Sequence, residues 1–148
     1  GLGLAKMDWS FNSNIDLKQV NNRGKGTLSE ALGIEVTEIS EKSLKGRMPV
    51  DPRTIQPYGL LHGGASCALA ETLGSIASNL LLETGRAAVG QSINATHLKS
   101  VREGYVHGQV EALHIGRRTH VWDIRIFNDV GQLICTSRLT MAIIETDK

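Results

Sequence analysis

The chain has 148 residues, 41% of them hydrophobic, with 16 Lys and Arg against 15 Asp and Glu and a net charge of +1. That length suits one domain able to bury a core without disulfide or metal staples, and the balanced charge excludes the broad positive field that holds nucleic acid or an anionic membrane. No run approaches the roughly 18–20 apolar residues of a spanning helix and no leader pattern opens the chain, which predicts a cytoplasmic protein.

Residues 1–6, GLGLAK, precede Met7 and read as a cloning remnant, so a single domain over 7–148 is expected. IDLKQVNNR, up to Arg23, and TLSEALGI, up to Ile34, predict two short helical pieces. From Ile34 the period becomes two: IEVTEIS alternates, and Leu44, Gly46, Met48 and Val50 share one face of a second strand. Asp51-Pro52-Arg53-Thr54 is a turn, because proline fixes its own φ and pushes the preceding residue out of the helical region. Residues 56–61 form a loop.

The stretch from Gly63 to Glu83 is rich in alanine and leucine and lacks proline, which predicts a helix of about five turns. Leu69, Leu73, Ile76 and Leu80 make one apolar stripe; Gly64, Ala68, Glu71, Ser75 and Ser78 lie opposite. Glu71 is the only formal charge between Arg53 and Glu83. A helix so short of charge is buried on most sides, and its small-residue side must face a close-packed element or a ligand. Thr84-Gly85 is expected to end it.

Four long strands follow, AAVGQSINATHL, YVHGQVEALHI, HVWDIRIF and LICTSRLTMAII, separated by turns at Arg102-Glu103-Gly104, at Gly116 and at Asp129-Val130-Gly131. The expected fold is α+β, a curved antiparallel sheet wrapped around one long central helix. Cys67 and Cys135 sit in apolar surroundings and read as core thiols. His97, His107, His114 and His120 lack metal-ligand spacing, so neither a metal nor a cofactor is expected.

The order of elements, with MPVD (48–51), QPYGLLHGG (56–64), AETLGS (70–75), INATH (93–97), REG (102–104) and SRLT (137–140), resembles the hotdog-fold acyl-CoA thioesterases. The likeness runs from about Gly33 to Ile144 and is greatest to the branch that hydrolyses aryl-CoA and related thioesters, including the 1,4-dihydroxy-2-naphthoyl-CoA thioesterases of menaquinone synthesis. It implies hydrolysis of an aryl- or medium-chain acyl thioester, with coenzyme A or a carrier protein's phosphopantetheine as the thiol carrier. It also implies a homodimer, often paired again into a homotetramer.

Thioester hydrolysis needs a nucleophile or a base for water, and donors for the developing oxyanion. The resemblance gives Glu71 the first role, as nucleophile or general base; both need an ionised carboxylate, and Ser75, at i+4, is placed to support it. Gly63 and Gly64 open the helix, where backbone N–H groups lack intrahelical partners and the dipole is positive. The resemblance assigns the oxyanion donor to the Gly63 N–H, with His62 beside it and Gln56 polarising the carbonyl or holding water. Tyr58, Leu60 and Leu61 are candidates to line an acyl pocket. His97, Lys99, Arg102, Arg117 and Arg118 are candidate partners for the coenzyme A phosphates.

His62 and Glu71 lie nine residues apart, about 13 Å along a helix, too far for one chain to aim both at one carbonyl. Two antiparallel helices can, which predicts composite sites in a two-fold dimer. Two rival classes remain. One is a hotdog domain that senses acyl-CoA without turnover, although the first 33 residues are too short for a DNA-binding unit. The other is a dehydratase, which would use a His/Asp pair that is not found near His62.

Overall fold

In β2 (Ser43–Pro49) the alternation does what the sequence requires, with Leu44, Gly46 and Met48 buried and the residues between them nearer solvent. The computed structural model describes residues 8–147, and the expected remnant at 1–6 lies outside them. Chain order is α1 (Leu17–Asn22), α2 (Leu28–Leu32), β1 (Glu35–Ile39), β2, α3 (Gly63–Leu80), β3 (Arg86–His97), β4 (Tyr105–Ile115), β5 (Thr119–Phe127) and β6 (Leu133–Glu145). The strands form one six-stranded sheet in the order β1-β2-β4-β5-β6-β3, antiparallel at every pairing.

One expectation is corrected here: the sheet is not wrapped around the helix. It is open, neither closed nor strongly curled, and β1 and β3 remain as separate edges. The reason lies in α3, whose buried residues are Ala65, Ser66, Leu69, Ala70, Leu73, Gly74, Ala77 and Ser78, one side of the helix only. Gly64 and Glu71 on the other side are exposed. A helix poor in charge is not thereby apolar all round; small residues and a carboxylate give no sheet a reason to cover them.

Close approach of α3 to the sheet depends on two facing glycines. Gly46 and Gly108 are cross-strand partners in β2 and β4, and a Cβ on either would meet a Leu73 methyl, at 2.4 Å and 2.7 Å respectively. Leu73 fills the notch and is fully buried. Further along, Trp122, Ile124 and Ile126 of β5 and Leu139 and Met141 of β6 complete the core. Trp9 and Phe11 close its end, with ring centroids 6.0 and 6.4 Å from Trp122.

The helix ends at Leu80, earlier than expected, as the Leu81 N–H bonds Ser78 O at 3.1 Å and tightens the last turn. Gly85, φ 98°, serves the turn into β3 instead. Ser78 belongs to the sheet side: its Oγ accepts from Trp122 Nε1 at 2.7 Å and lies 2.8 Å from His120 Nδ1.

Two asparagines tie helices to the sheet margins. Asn21 of α1 bonds both the N–H (2.7 Å) and the C=O (2.9 Å) of Val36 in β1. Asn79 of α3 does the same for Ala88 in β3, at 2.9 and 3.2 Å.

Candidate active site

The loop before α3 is folded onto the helix start by its main chain. His62 N–H bonds Thr54 O, Leu61 N–H bonds Val101 O, and Gln56 N–H bonds Leu60 O, each at 2.8 Å. His62 is the N-cap, its Nδ1 accepting from Gly64 N–H at 2.7 Å, while Ala65 and Ser66 N–H groups both reach His62 O. One donor of that first turn is left over: among the described residues the Gly63 N–H has no acceptor. With the helix dipole behind it, that N–H is suited to a negatively charged oxygen.

Gln56 presents its carbonyl inward, Oε1 accepting from Tyr58 N–H at 2.5 Å. Its amide nitrogen, with two donors, has no acceptor among the described residues. The His97 imidazole lies against Gly63, where a Cβ would stand 2.7 Å from its Nε2. Arg102 reaches back to Tyr58 O at 3.4 Å, and Lys99 follows His97 with its N–H 3.3 Å from Ile134 O. Gln56, Tyr58, Leu61, His62, Gly63, His97, Lys99 and Arg102 therefore gather at the N-terminal end of α3. Arg117 and Arg118 do not; their turn joins β4 to β5 beside Arg86 and Ile143, by the residues that follow the C-terminal end of α3.

Glu71 and Ser75 line a groove of about 1110 Å³ between the outer side of α3 and the segment carrying α1 and α2, with Cys67, Ala68, Ile76 and Val20 among its other walls. Within one chain Glu71 is exposed rather than shut in. Its carboxylate is nevertheless unpaired: no cation forms an ion pair with it among the described residues. Burial, and then the Glu71 charge, push the Cys67 thiol above its ordinary range, so Cys67 stays protonated and unreactive.

A family model described as "Thioesterase superfamily" matches residues 58–135, the span that carries the loop, α3 and most of the sheet. The chain belongs to the thioesterase superfamily. Over 130 residues this thioesterase is 48% identical to "1,4-dihydroxy-2-naphthoyl-CoA hydrolase" of Escherichia coli K12, covering 88% of the chain and 96% of that protein. It is also 48% identical over 130 residues to "Proofreading thioesterase EntH" of Cronobacter turicensis, covering 88% and 95%. Among solved structures, a mutant of thioesterase PA1618 from Pseudomonas aeruginosa superposes with a TM-score of 0.89 at 46% identity, over 92% of this chain and 99% of that one. The protein is accordingly a hotdog-type thioester hydrolase. No helix among the described residues is long and apolar enough to cross a membrane.

Other contacts within the thioesterase leave no sequence signal. His120 is 2% exposed, and burial first, then Arg86 and His114, lower its pKa to about 4. Its neutral Nδ1 accepts a hydrogen bond from the Ser78 hydroxyl, while Ser78 Oγ accepts from Trp122 Nε1–H. Ser137, inside the SRLT motif, is buried with no hydrogen-bond partner among the described residues. Gly90 of β3 lies against the Glu71 carboxyl group. A burial state or a contact between distant segments leaves no periodicity to read.

Proposed function

We propose that this thioesterase hydrolyses an aryl- or medium-chain acyl thioester of coenzyme A, or of a carrier protein's phosphopantetheine, through Glu71. The observation that carries this reading is the Glu71 carboxylate, unpaired and open to a groove on the outer side of α3. As nucleophile it attacks the carbonyl carbon; as base it takes a proton from the attacking water. Either way the thioester and water become a free acid and a thiol. The Gly63 N–H receives the carbonyl oxygen as it becomes negative, a contribution on the order of 3 kcal/mol for one such donor. The Gln56 amide supports the same oxygen or holds water, and Ser75 backs the carboxylate. The relative named for 1,4-dihydroxy-2-naphthoyl-CoA hydrolysis favours an aryl acyl group.

Glu71 is two turns along α3 from Gly63 and exposed in one chain, which favours a homodimer whose antiparallel helices bring the helix start of one protomer to the Glu71 of its partner. A thiol-reporting dye with a panel of aryl and fatty acyl-CoA substrates tests the activity. Gln56→Ala and Glu71→Ala chains should each be nearly inactive, and mixed hybrids should regain turnover. Full activity of Glu71→Ala removes the mechanism; inactive hybrids remove the shared site but leave the chemistry standing.

A further inference from the structure

We infer that Gly90 is a positioning residue for the Glu71 carboxylate, an inference that rests on the reading of Glu71 as the reacting group. A Cβ on Gly90 would stand 2.1 Å from Glu71 Oε2 and 3.1 Å from its Cδ. The carboxyl group thus lies directly on the main chain of β3. Backbone conformation does not explain the glycine, because Gly90 is not among the residues with positive φ. Space does.

The other tight glycines on the sheet side have different neighbours. Gly46, Gly74 and Gly108 face leucine or isoleucine carbons, Gly46 also the Glu35 main-chain oxygen, and serve core packing. Gly90 faces a charged group on the open side of the helix. The strand is also irregular at this point: the β3–β6 register slips between Gly90 and Ser92, leaving Gln91 as an extra residue. Such a bulge bends a strand and re-aims what lies on it. Just before it, Asn79 fixes Ala88 to α3 through both backbone groups. Clamp, bulge and missing methyl together leave a bare stretch of backbone beneath the carboxylate.

Glu71 has no hydrogen bond or ion pair among the described residues to hold its rotamer. Contact with β3 limits where its end can lie, and a methyl at position 90 would turn it away. Displacing a reacting group by about 1 Å typically costs on the order of 10²-fold in rate. The fold should tolerate the change, because what must move is the far end of a flexible side chain.

The test is Gly90→Ala, followed by kcat, KM, a thermal melt and a crystal structure. The expected result is a kcat lower by about 10²-fold, KM within about twofold, an essentially unchanged melting temperature and a displaced carboxylate. Wild-type kcat overturns the inference, as does a loss of kcat with the carboxylate still in place. Should Gly90→Ala fail to fold, the Glu71→Ala/Gly90→Ala double variant decides: a folded double supports a collision with the carboxylate, and an unfolded one refutes it. Failure of the underlying reading looks different, since Glu71→Ala would then keep its turnover whatever stands at position 90.

Discussion

Two buried serines should respond to the same substitution with opposite signs. Ser78 and Ser137 are 0% and 4% exposed, yet Ser78 Oγ serves both Trp122 Nε1–H at 2.7 Å and His120 Nδ1 at 2.8 Å, whereas Ser137 Oγ has no partner among the described residues. Ser78→Ala strands a buried indole donor and a buried imidazole acceptor. At about 1–3 kcal/mol for each orphaned group, partly offset by the easier burial of alanine, the loss should be about 2–4 kcal/mol. Ser137→Ala removes a hydroxyl whose desolvation nothing repays and should be neutral or gain about 1 kcal/mol. For a domain of this size each kcal/mol moves Tm by roughly 2–4 °C. Ser78→Ala should therefore melt about 4–16 °C lower, and Ser137→Ala no lower than the parent. Differential scanning calorimetry at one fixed protein concentration separates them, the concentration being held because association shifts Tm. Equal losses from both serines would refute the reasoning, since buried hydroxyls would then count by burial rather than by partnership.

Acid should destabilise the protein through His120. Its folded pKa of about 4 lies below the ordinary 6.5, so between these values the unfolded chain binds the extra proton. Stability is fully present above pH 6.5, declines as the pH falls toward 4 and levels off below, for a total on the order of 3 kcal/mol. Melting curves from pH 7.5 to 4 should lose that component in His120→Gln; an identical acid profile in the variant would exclude His120 as its source. Gly46→Ala should cost about 1–3 kcal/mol by overpacking, since its Cβ would press on Leu73 Cδ2 at 2.4 Å and on Glu35 O at 2.8 Å. Urea denaturation measures it, and an unchanged midpoint would mean that α3 can rise from the sheet without loss.

Periodicity made most of the architecture readable. Leu44, Gly46, Met48 and Val50 share a buried face because a strand alternates by geometry, and the proline-free run from Gly63 forms the helix that its composition favours. Low charge suggests an apolar helix and a wrapped sheet, but Ala68, Glu71 and Ser75 form a side of α3 that the sheet leaves uncovered. Ser78 lies at the boundary between the two faces, where a helical wheel does not discriminate, and falls on the sheet side. In the site, HGG at the helix start was legible because capping and orphan N–H groups are local. The Gly90–Glu71 contact was not: it joins residues of β3 and α3 through a bulge that no local pattern announces.

The two asparagines at the margins of the sheet bear on how such molecules meet. Asn21 stands in for a neighbouring strand at Val36, and β1 is only five residues long, so that border offers little template for another chain. Along β3, twelve residues long, the imitation stops at Ala88. Growth by strand addition thus has one usable side. Two copies joined along it would leave no second border to extend, a geometry that favours a finite pair over a fibre.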